Sequence, residues 1–289
     1  MNLQPSKIDF GVSDDKLYTP EIGPWAEDKY RLFWCYADLF ATSMKEKWDQ
    51  RVYIDLFAGA GHSRVESTNV ESTNRVLLGT PLLALRVAHT FDWYIFCDQD
   101  PDCMSALRKR VETMHPTAEV RYVPEDVNRV TSQILREMPP LAPGKKMLGF
   151  CFADPFRLRD LHFRTIEILA QRYMDSMVLI PVMDPLRNEV TYLDPSCDVV
   201  DLFVGTTSWR EEWRKQQKKI TLDTFIAGFF SGQMKLLNYT HGGIEDSILV
   251  RSSEKNLPLY RLGFYSRHAL GGRFWKEARK YSNPQLGLL

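Results

Sequence analysis

A short apolar strand and the glycine-rich loop after it carry the clearest sign of ligand binding in this 289-residue sequence. The strand, residues 51–55, ends in an acid, and the loop then reads Leu56-Phe57-Ala58-Gly59-Ala60-Gly61. The glycines allow a sharp turn and a close approach of the backbone to a ligand, which a β-carbon would block. Backbone N–H groups beside such a turn can bind an anionic group, and the acid can meet an ammonium, directly or through water. The predicted ligand contacts are Asp55, Phe57, Ala58, Gly59 and Gly61.

Two further predicted strands also end beside acidic residues. Asp98, with Gln99 next to it, ends the second strand, and in nucleotide-binding sheets an acid at this place accepts hydrogen bonds from ribose hydroxyls. Asp100 competes for that role. Asp126 and Val127 follow the third strand, where Asp126 can meet an adenine amino group or, equally, act as the N-cap of a helix. We therefore expect Asp98, Gln99, Asp126 and Val127 to contact a nucleoside-containing ligand.

A third pattern, Asp154-Pro155-Phe156, follows the fourth predicted strand. Proline restricts the backbone, so that the preceding acid and the following ring face the crevice at the carboxyl ends of the strands. In that geometry Asp154 can accept a hydrogen bond from a substrate amine, and Phe156 can stack on a planar substrate. The alternative is an exposed Asp-Pro turn without a catalytic role. The predicted catalytic residues are Asp154, Pro155 and Phe156.

Strands and helices alternate along most of the chain. The predicted strands are 51–55, 93–98, 119–123, 147–153 and 176–182, and the predicted helices are 80–90, 101–114, 128–138 and 161–172. This alternation indicates βαβ units and a parallel sheet that is buried on both faces. Two last strands, 244–252 and 259–266, are predicted to form an antiparallel hairpin. The predicted fold class is α/β: a Rossmann-like class I methyltransferase sheet, parallel with an antiparallel terminal hairpin, plus a helical extension or cap.

The predicted organisation assigns a role to each part of the chain. Residues 1–24 form an N-terminal arm, draped over the surface or partly disordered, and 25–182 the methyltransferase-like core, which opens with a helix over 25–48. Residues 183–240 form a helical cap or substrate lobe, and 241–289 the hairpin and helix that complete the core. The loop lacks the third glycine of the dinucleotide fingerprint. With Asp98 and the hairpin, this favours S-adenosylmethionine as the cofactor, whose carboxylate the loop donors would meet.

Composition narrows the class of protein. Lys+Arg and Asp+Glu both number 37, so the formal net charge is zero. This balance argues against a protein whose main task is to grip a long phosphate backbone. The five cysteines are scattered and show no metal-binding spacing, so we expect reduced thiols, no metal site and a cytoplasmic location. No signal peptide or membrane-spanning run is predicted.

Two stretches interleave basic and aromatic residues, 209–219 and 267–276. Such a pattern suits binding to nucleic-acid backbone and stacking on bases. Solvated faces of amphipathic helices have the same composition, and two glutamates interrupt the first stretch. Both interpretations stay open at the level of sequence, with the solvated helix favoured.

The chain resembles the three-Cys-motif partner proteins from about Lys29 to Lys276. The resemblance rests on the segments 53–59, 79–85, 154–156 and 268–275. It implies a class I methyltransferase-like fold and a partner that bears a three-cysteine motif and resembles a radical or iron–sulfur protein. The Asp-Leu-Phe-Ala-Gly segment is also similar to DNA cytosine methyltransferases, but those have a Pro-Cys nucleophile where this chain has Asp154-Pro155. A cysteine-attack mechanism is therefore not expected.

One segment departs from the family pattern. Residues 62–75 form a polar insertion after Gly61, with a near-duplicate of 65–69 at 70–74. It is either a lid over the cofactor or a tolerated expansion of a loop.

Three functional hypotheses follow. The leading one is an S-adenosylmethionine-dependent methyltransferase that acts on an amine or oxygen of a planar acceptor, with a nucleic-acid base favoured over a small metabolite. The second is a non-catalytic or cofactor-sensing partner subunit of a three-cysteine-motif protein. The third, a nucleotide-dependent oxidoreductase, is disfavoured by the missing third glycine.

Overall fold

The computed structural model describes residues 9–66, 75–140, 142–216, 220–252 and 256–282. Within these residues the strands are β1 Gly11–Val12, β2 Glu21–Ile22, β3 Gln50–Asp55, β4 His62–Val65, β5 Val76–Leu78, β6 Trp93–Cys97, β7 Val120–Val123, β8 Met147–Ala153, β9 Met174–Pro181, β10 His241–Gly242, β11 Ile248–Arg251 and β12 Pro258–Ser266. The helices are α1 Ala26–Met44, α2 Thr80–Leu85, α3 Pro101–Met114, α4 Val127–Glu137, α5 Phe163–Leu169, α6 Met183–Arg187, α7 Glu189–Leu193, α8 Val199–Val204, α9 Trp209–Arg214, α10 Leu222–Leu236 and α11 Ala269–Ser282.

The central sheet confirms the predicted fold class. Its strand order is β7-β6-β3-β8-β9-β12, with β10 and β11 both paired to β12. The first five strands are parallel, and β12 runs antiparallel to β9 and forms the predicted hairpin with β11. This is the sheet of a Rossmann-like class I methyltransferase. The chain moves outward from β3 in one direction to β6 and β7 and in the other to β8, so the order reverses at β3, and open α/β sheets bind ligands outside the strand ends at such a point.

The middle strands are apolar because helices cover both faces of the sheet. All seven residues of β8 and all eight of β9 are buried. On the face that α1 covers, the ring of Phe150 lies 4.9 Å from that of Tyr36, 5.7 Å from that of Phe40 and 5.8 Å from that of Phe33. Helix α1 thus presents an aromatic stripe to the sheet, as its spacing of apolar residues predicted.

A second, smaller sheet joins two segments that lie far apart in sequence. It has the order β1-β5-β4-β2 and combines the N-terminal arm with β4, at the start of the 62–75 insertion, and with β5, directly after the insertion. Residues 11–12 and 21–22 of the arm are held by strand pairing with β5 and β4. Residues 1–8 lie outside the described residues, and the prediction of an arm draped over the surface or partly disordered stays a prediction. Most of the near-duplicated stretch, 67–74, lies outside the described residues.

Helix ends differ from the sequence prediction where a side chain captures the backbone. Helix α2 ends at Leu85 rather than Thr90, because the Asp38 carboxylate accepts a 2.7 Å hydrogen bond from the Ala88 amide and turns the chain. The predicted helix 161–172 is shorter, as α5, and a separate 3-10 helix, Leu158–Asp160, precedes it. Between them the carboxamide oxygen of Asn128 accepts a hydrogen bond from the His162 amide.

The segment 183–240 contains the five helices α6–α10, which extend the core. Phe203, Trp209 and Phe230 are fully buried in the same apolar cluster as Val178 and Ile180 of β9. None of the helices among the described residues is long and apolar enough to cross a membrane.

One tryptophan of each basic-aromatic stretch points inward. The indole of Trp209 donates a hydrogen bond to Asp201 and that of Trp275 to the Asp246 carbonyl, and both side chains are fully buried. This favours the interpretation of both stretches as helices with one packed face, although 217–219 lie outside the described residues.

Phe150→Ala should lower the free energy of unfolding by about 3–5 kcal/mol, because it leaves a cavity in the aromatic cluster under α1. The matched control is Phe156→Ala, since Phe156 is 83% exposed; that change should shift the free energy by no more than about 0.5 kcal/mol. Urea denaturation of both variants measures the difference. Similar losses for the two would contradict the packing described.

Candidate active site

The glycine loop lies across the carboxyl ends of three neighbouring strands. The Leu56 amide donates to the Phe152 carbonyl of β8 (3.0 Å), and the Ala58 amide donates to the Cys97 carbonyl of β6 (2.9 Å). Both neighbours of β3 therefore hold the loop at the point where the strand order reverses. The structure places the predicted ligand loop where this class of sheet binds ligands.

The two glycines of the loop differ in their surroundings. Both are left-handed, with φ of 60° at Gly59 and 80° at Gly61. A β-carbon at Gly61 would lie 2.8 Å from Cδ1 of Leu107, so this position is closed by packing. A β-carbon at Gly59 would meet no described atom within 4 Å. Gly59 thus offers bare backbone to open space, as a cradle for a ligand requires.

Asp55 supports the loop from beneath. Its side chain is fully buried, and one carboxylate oxygen accepts hydrogen bonds from the hydroxyls of Tyr53 and Thr80, both 2.7 Å long. The other oxygen lies 3.3 Å from the Phe57 amide. Burial raises the pKa of Asp55 to about 7. These contacts assign Asp55 to organising the strand end, and its predicted contact with a ligand ammonium stays a prediction.

Asp98 closes the other side of the loop. Its carboxylate accepts hydrogen bonds from the Gly59 amide (2.7 Å) and the Asp100 amide (2.9 Å), and burial raises its pKa. Asp100 caps α3 by accepting from the amides of Asp102 and Cys103. The competitor is thus occupied as a helix cap, while Asp98 touches the loop itself. Gln99 is exposed beside it.

Asp126 caps α4. Its side chain accepts a 2.9 Å hydrogen bond from the Asn128 amide, which confirms the helix-cap interpretation. Val127 is buried. Both residues follow the carboxyl end of β7, at the same edge of the sheet as the glycine loop. Contact of either residue with an adenine ring stays a prediction.

Asp154 is paired with a lysine that sequence analysis missed. The ammonium of Lys29, on α1, donates to Oδ2 of Asp154, and it lies 5.2 Å from the ring centre of Tyr30 and 5.8 Å from that of Tyr260. Burial alone would lower the pKa of Lys29, but the Asp154 carboxylate outweighs it and raises that pKa. Lys29 is therefore a charged group beside the predicted catalytic acid. One signal was available: Lys29 lies four residues before Phe33, on the apolar stripe of α1.

The two residues that follow Asp154 differ in exposure. Pro155 is buried, whereas Phe156 is 83% exposed, with the Arg157 guanidinium 5.6 Å from its ring centre. The loop is fixed by Asp184, another residue that sequence analysis missed, whose carboxylate accepts from the Leu158 amide at 2.8 Å and from the Tyr192 hydroxyl. An exposed ring on a fixed loop is available for stacking on a planar molecule.

The five cysteines are unpaired, and no group of three or more potential metal ligands occurs in the part of the chain that the structure describes. The polar and aromatic groups at this edge of the sheet include the carboxylates, Lys29 and Phe156. The structure brings Asp98, the glycine loop and Asp154 together at the ends of the three adjacent strands β6, β3 and β8.

Comparison with known proteins supports the fold. No protein-family model and no curated protein matches the sequence. Protein LPL1258 of Legionella pneumophila, described by the family model DUF519, is similar at 14% identity and a TM-score of 0.50 over 88% of this chain and 92% of that one. Trm1 of Pyrococcus horikoshii, solved with S-adenosylmethionine, is 12% identical with a TM-score of 0.45; the match covers 93% of this chain and 63% of Trm1.

Magnesium protoporphyrin IX methyltransferase of Synechocystis, also solved with bound S-adenosylmethionine, is 8% identical, with a TM-score of 0.38 over 88% of this chain and 86% of that one. At such low identities the similarity to these proteins shows the fold alone. The class I methyltransferase-like fold implied by the resemblance to three-Cys-motif partner proteins is present, and no family model supports membership in that family.

The raised pKa of Asp55 predicts a pH dependence that can be isolated by mutation. Because the folded protein binds this proton more tightly than the unfolded chain, the contribution of Asp55 to stability is present below its ordinary pKa of 3.8 and is lost as the pH rises through about 7. The stability advantage of the wild type over Asp55→Asn should therefore be larger at pH 5 than at pH 8. Chemical denaturation at the two pH values measures it.

The comparison with the variant is necessary because His62 acts in the opposite direction. Burial lowers the pKa of His62 to about 4, so its contribution falls as the pH drops from 6.5. A difference between wild type and Asp55→Asn that stays constant from pH 5 to pH 8 would refute the raised pKa of Asp55.

Proposed function

We propose that this protein is an S-adenosylmethionine-dependent methyltransferase that acts on an amine or oxygen of a planar acceptor, with a nucleic-acid base as the favoured acceptor. The observation that carries the proposal is the open backbone cradle at Gly59, held by Asp98 on one side and by β8, which leads to Asp154, on the other. When bound, the cofactor supplies an electrophilic sulfonium methyl group. The remaining steps concern the residues of the chain.

The loop and the neighbouring strand ends would hold the cofactor. The amides of residues 56–59 already donate within the protein, so the N–H groups of Ala60 and Gly61 are the loop donors that would meet its carboxylate. The Asp98 carboxylate, already aligned by the Gly59 amide, would accept hydrogen bonds from the ribose hydroxyls. Gln99, Asp126 and Val127 would lie on the adenine side. Because Asp98 bonds the loop itself, the same carboxylate shapes the cradle and binds the sugar.

Asp154 and Phe156 would position the acceptor. Lys29 bonds Oδ2 of Asp154, so Oδ1 would be the oxygen that accepts from the N–H or O–H group of the acceptor. In this arrangement Asp154 orients the lone pair of the acceptor and receives its proton as the methyl group is transferred. The exposed Phe156 ring would stack on the plane of the acceptor, and the adjacent, exposed Arg157 suits an anionic backbone.

The exposed pair Phe156 and Arg157 is the feature that bears on the class of acceptor. Phe156 and Arg157 together favour a nucleic-acid base, whereas the zero net charge favours a small planar metabolite. Tritium transfer from labelled S-adenosylmethionine to mixed RNA and DNA oligonucleotides, run beside a low-molecular-weight metabolite fraction, separates the two. Label confined to the metabolite fraction would exclude the nucleic-acid acceptor.

Cofactor binding should depend on the backbone at Gly59. Gly59→Val forces a β-branched residue into a left-handed conformation, and Asp98→Ala removes the carboxylate that holds the loop, so each should weaken S-adenosylmethionine binding about tenfold or more in calorimetry. The control is Gly144→Val, since Gly144 is also left-handed (φ 80°) and an added β-carbon there would meet no described atom within 4 Å, but it precedes β8 at the opposite sheet end. No binding by the intact protein would exclude the proposed function.

Asp154→Asn should lower the rate of methyl transfer by a factor of about 10²–10⁴ while leaving the affinity for S-adenosylmethionine within about twofold. Asparagine is chosen because it leaves an oxygen for the partly buried Lys29 ammonium. Phe156→Ala, which is not expected to affect folding, should raise KM for the acceptor. Normal turnover by Asp154→Asn would remove Asp154 from the mechanism.

The alternative function is a non-catalytic or cofactor-sensing partner subunit, and one observation favours it. The partly buried Lys29 ammonium already satisfies part of the Asp154 carboxylate, so the acid has a structural partner without any substrate. In this case the chain would bind the cofactor, Asp154→Asn would leave its cellular function intact, and the chain would co-purify with a protein that bears a three-cysteine motif.

A further inference from the structure

The N-terminal arm is fastened to the glycine loop by a buried arginine. Arg110, on α3, is 3% exposed, and its guanidinium forms two hydrogen bonds of 2.8 and 2.7 Å with the Asp15 carboxylate. It also donates to the hydroxyl of Thr19 (2.9 Å). The hydrogen bond from Arg110 is the largest influence on Asp15 and lowers the pKa of its carboxyl to about 2. A buried guanidinium with a bidentate carboxylate partner is a fixed point of the structure.

The same guanidinium nitrogen joins the arm to the loop. Nη1 of Arg110 donates to the Ala60 carbonyl (2.6 Å), between the two loop glycines, and to the Tyr18 carbonyl (2.9 Å) in the arm. Leu17 packs on a small apolar cluster made of Ala60, Cys103 and Ala106. The arm from residue 15 to residue 19 is therefore built against the loop and the first turns of α3, rather than being placed there by strand pairing alone.

Tyr18 is the exposed part of this contact. Its side chain is 49% exposed. Charge at Cys103 is the largest influence on its phenol, and together with burial and the carboxylates of Asp100, Asp102 and Asp98 it raises the pKa. Asp98 is the residue assigned above to the ribose, and it binds the Gly59 amide, next to the Ala60 carbonyl that Arg110 ties to the Tyr18 backbone. A half-exposed aromatic ring whose backbone is anchored beside the loop has the chemistry of a wall for a sugar and its base.

Resting on the proposed function, we propose that the arm forms one wall of the cofactor site, with Tyr18 packed against the nucleoside of S-adenosylmethionine and Arg110 latching the arm to the loop. The ring supplies apolar contact to the sugar face, and the hydroxyl supplies a donor toward the ribose and Asp98. The latch presets this wall before the cofactor binds, so that the arm loses little conformational freedom on binding.

The first test is calorimetric titration with S-adenosylmethionine. Tyr18→Ala should weaken binding about tenfold, and Tyr18→Phe should weaken it less, because the ring contact persists. The control is Tyr173→Ala, a comparably exposed tyrosine (37%) near the start of β9, at the opposite end of the sheet; it should bind as the wild type does. Wild-type affinity in Tyr18→Ala would overturn the wall while leaving the proposed function standing. No binding by the wild type would overturn both.

The second test measures the latch without activity. S-adenosylmethionine should slow hydrogen exchange of the amides of residues 15–19 in the wild type by at least about tenfold. Asp15→Asn, which leaves Arg110 its carbonyl partners, should speed exchange of these amides in the free protein and weaken binding of the cofactor. Exchange in the arm that does not respond to the cofactor, in a wild-type protein that binds it, would exclude contact between the arm and the ligand.

Discussion

Burial of the parallel strands on both faces is the constraint on which the rest of the structure depends. A strand without a solvated face has little room for polar side chains along its length, because an unpaired polar group there costs the full loss of its hydration. Polar chemistry is therefore concentrated at the strand ends. Asp55, Asp98 and Asp154 all follow this rule at the ends of β3, β6 and β8, and the connections of the sheet bring these ends to one edge.

The Lys29–Asp154 pair shows how such an edge carries charge next to an apolar core. Each ion alone would lose part of its hydration, since the side chains of Lys29 and Asp154 are 11% and 23% exposed, and the pair is stabilised because the two charges meet directly and the ammonium also faces the rings of Tyr30 and Tyr260. Lys29 lies on α1, which precedes the central sheet in the chain, and Asp154 lies in the loop that follows β8. The packing of α1 on the sheet therefore also determines which hydrogen-bond partner the proposed catalytic acid, Asp154, has.

The sequence was sufficient for features encoded by local pattern. Strand β8 and helix α3 begin and end at the predicted residues, and the loop after β3 and the terminal hairpin lie where the apolar runs and turns indicated. Contacts between distant residues were not predictable in this way. Lys29 and Asp154 are 125 positions apart, and Arg110 and Asp15 are 95 positions apart. No periodicity in either segment specifies the other, so both contacts required the folded structure.

The segment between the glycine loop and α2 forms part of the small second sheet, through β4 and β5. The Gly79 amide donates a 2.7 Å hydrogen bond to the Gly61 carbonyl, so the chain leaves the core and re-enters it at nearly the same point. The entropy of closing such a detour grows only slowly with its length. A change in the number of residues between β4 and β5 would therefore add little closure entropy, while the hydrogen bond from Gly79 to Gly61 keeps the two ends of the detour together. The geometry of the binding loop is in this way separated from the length of the chain that follows it.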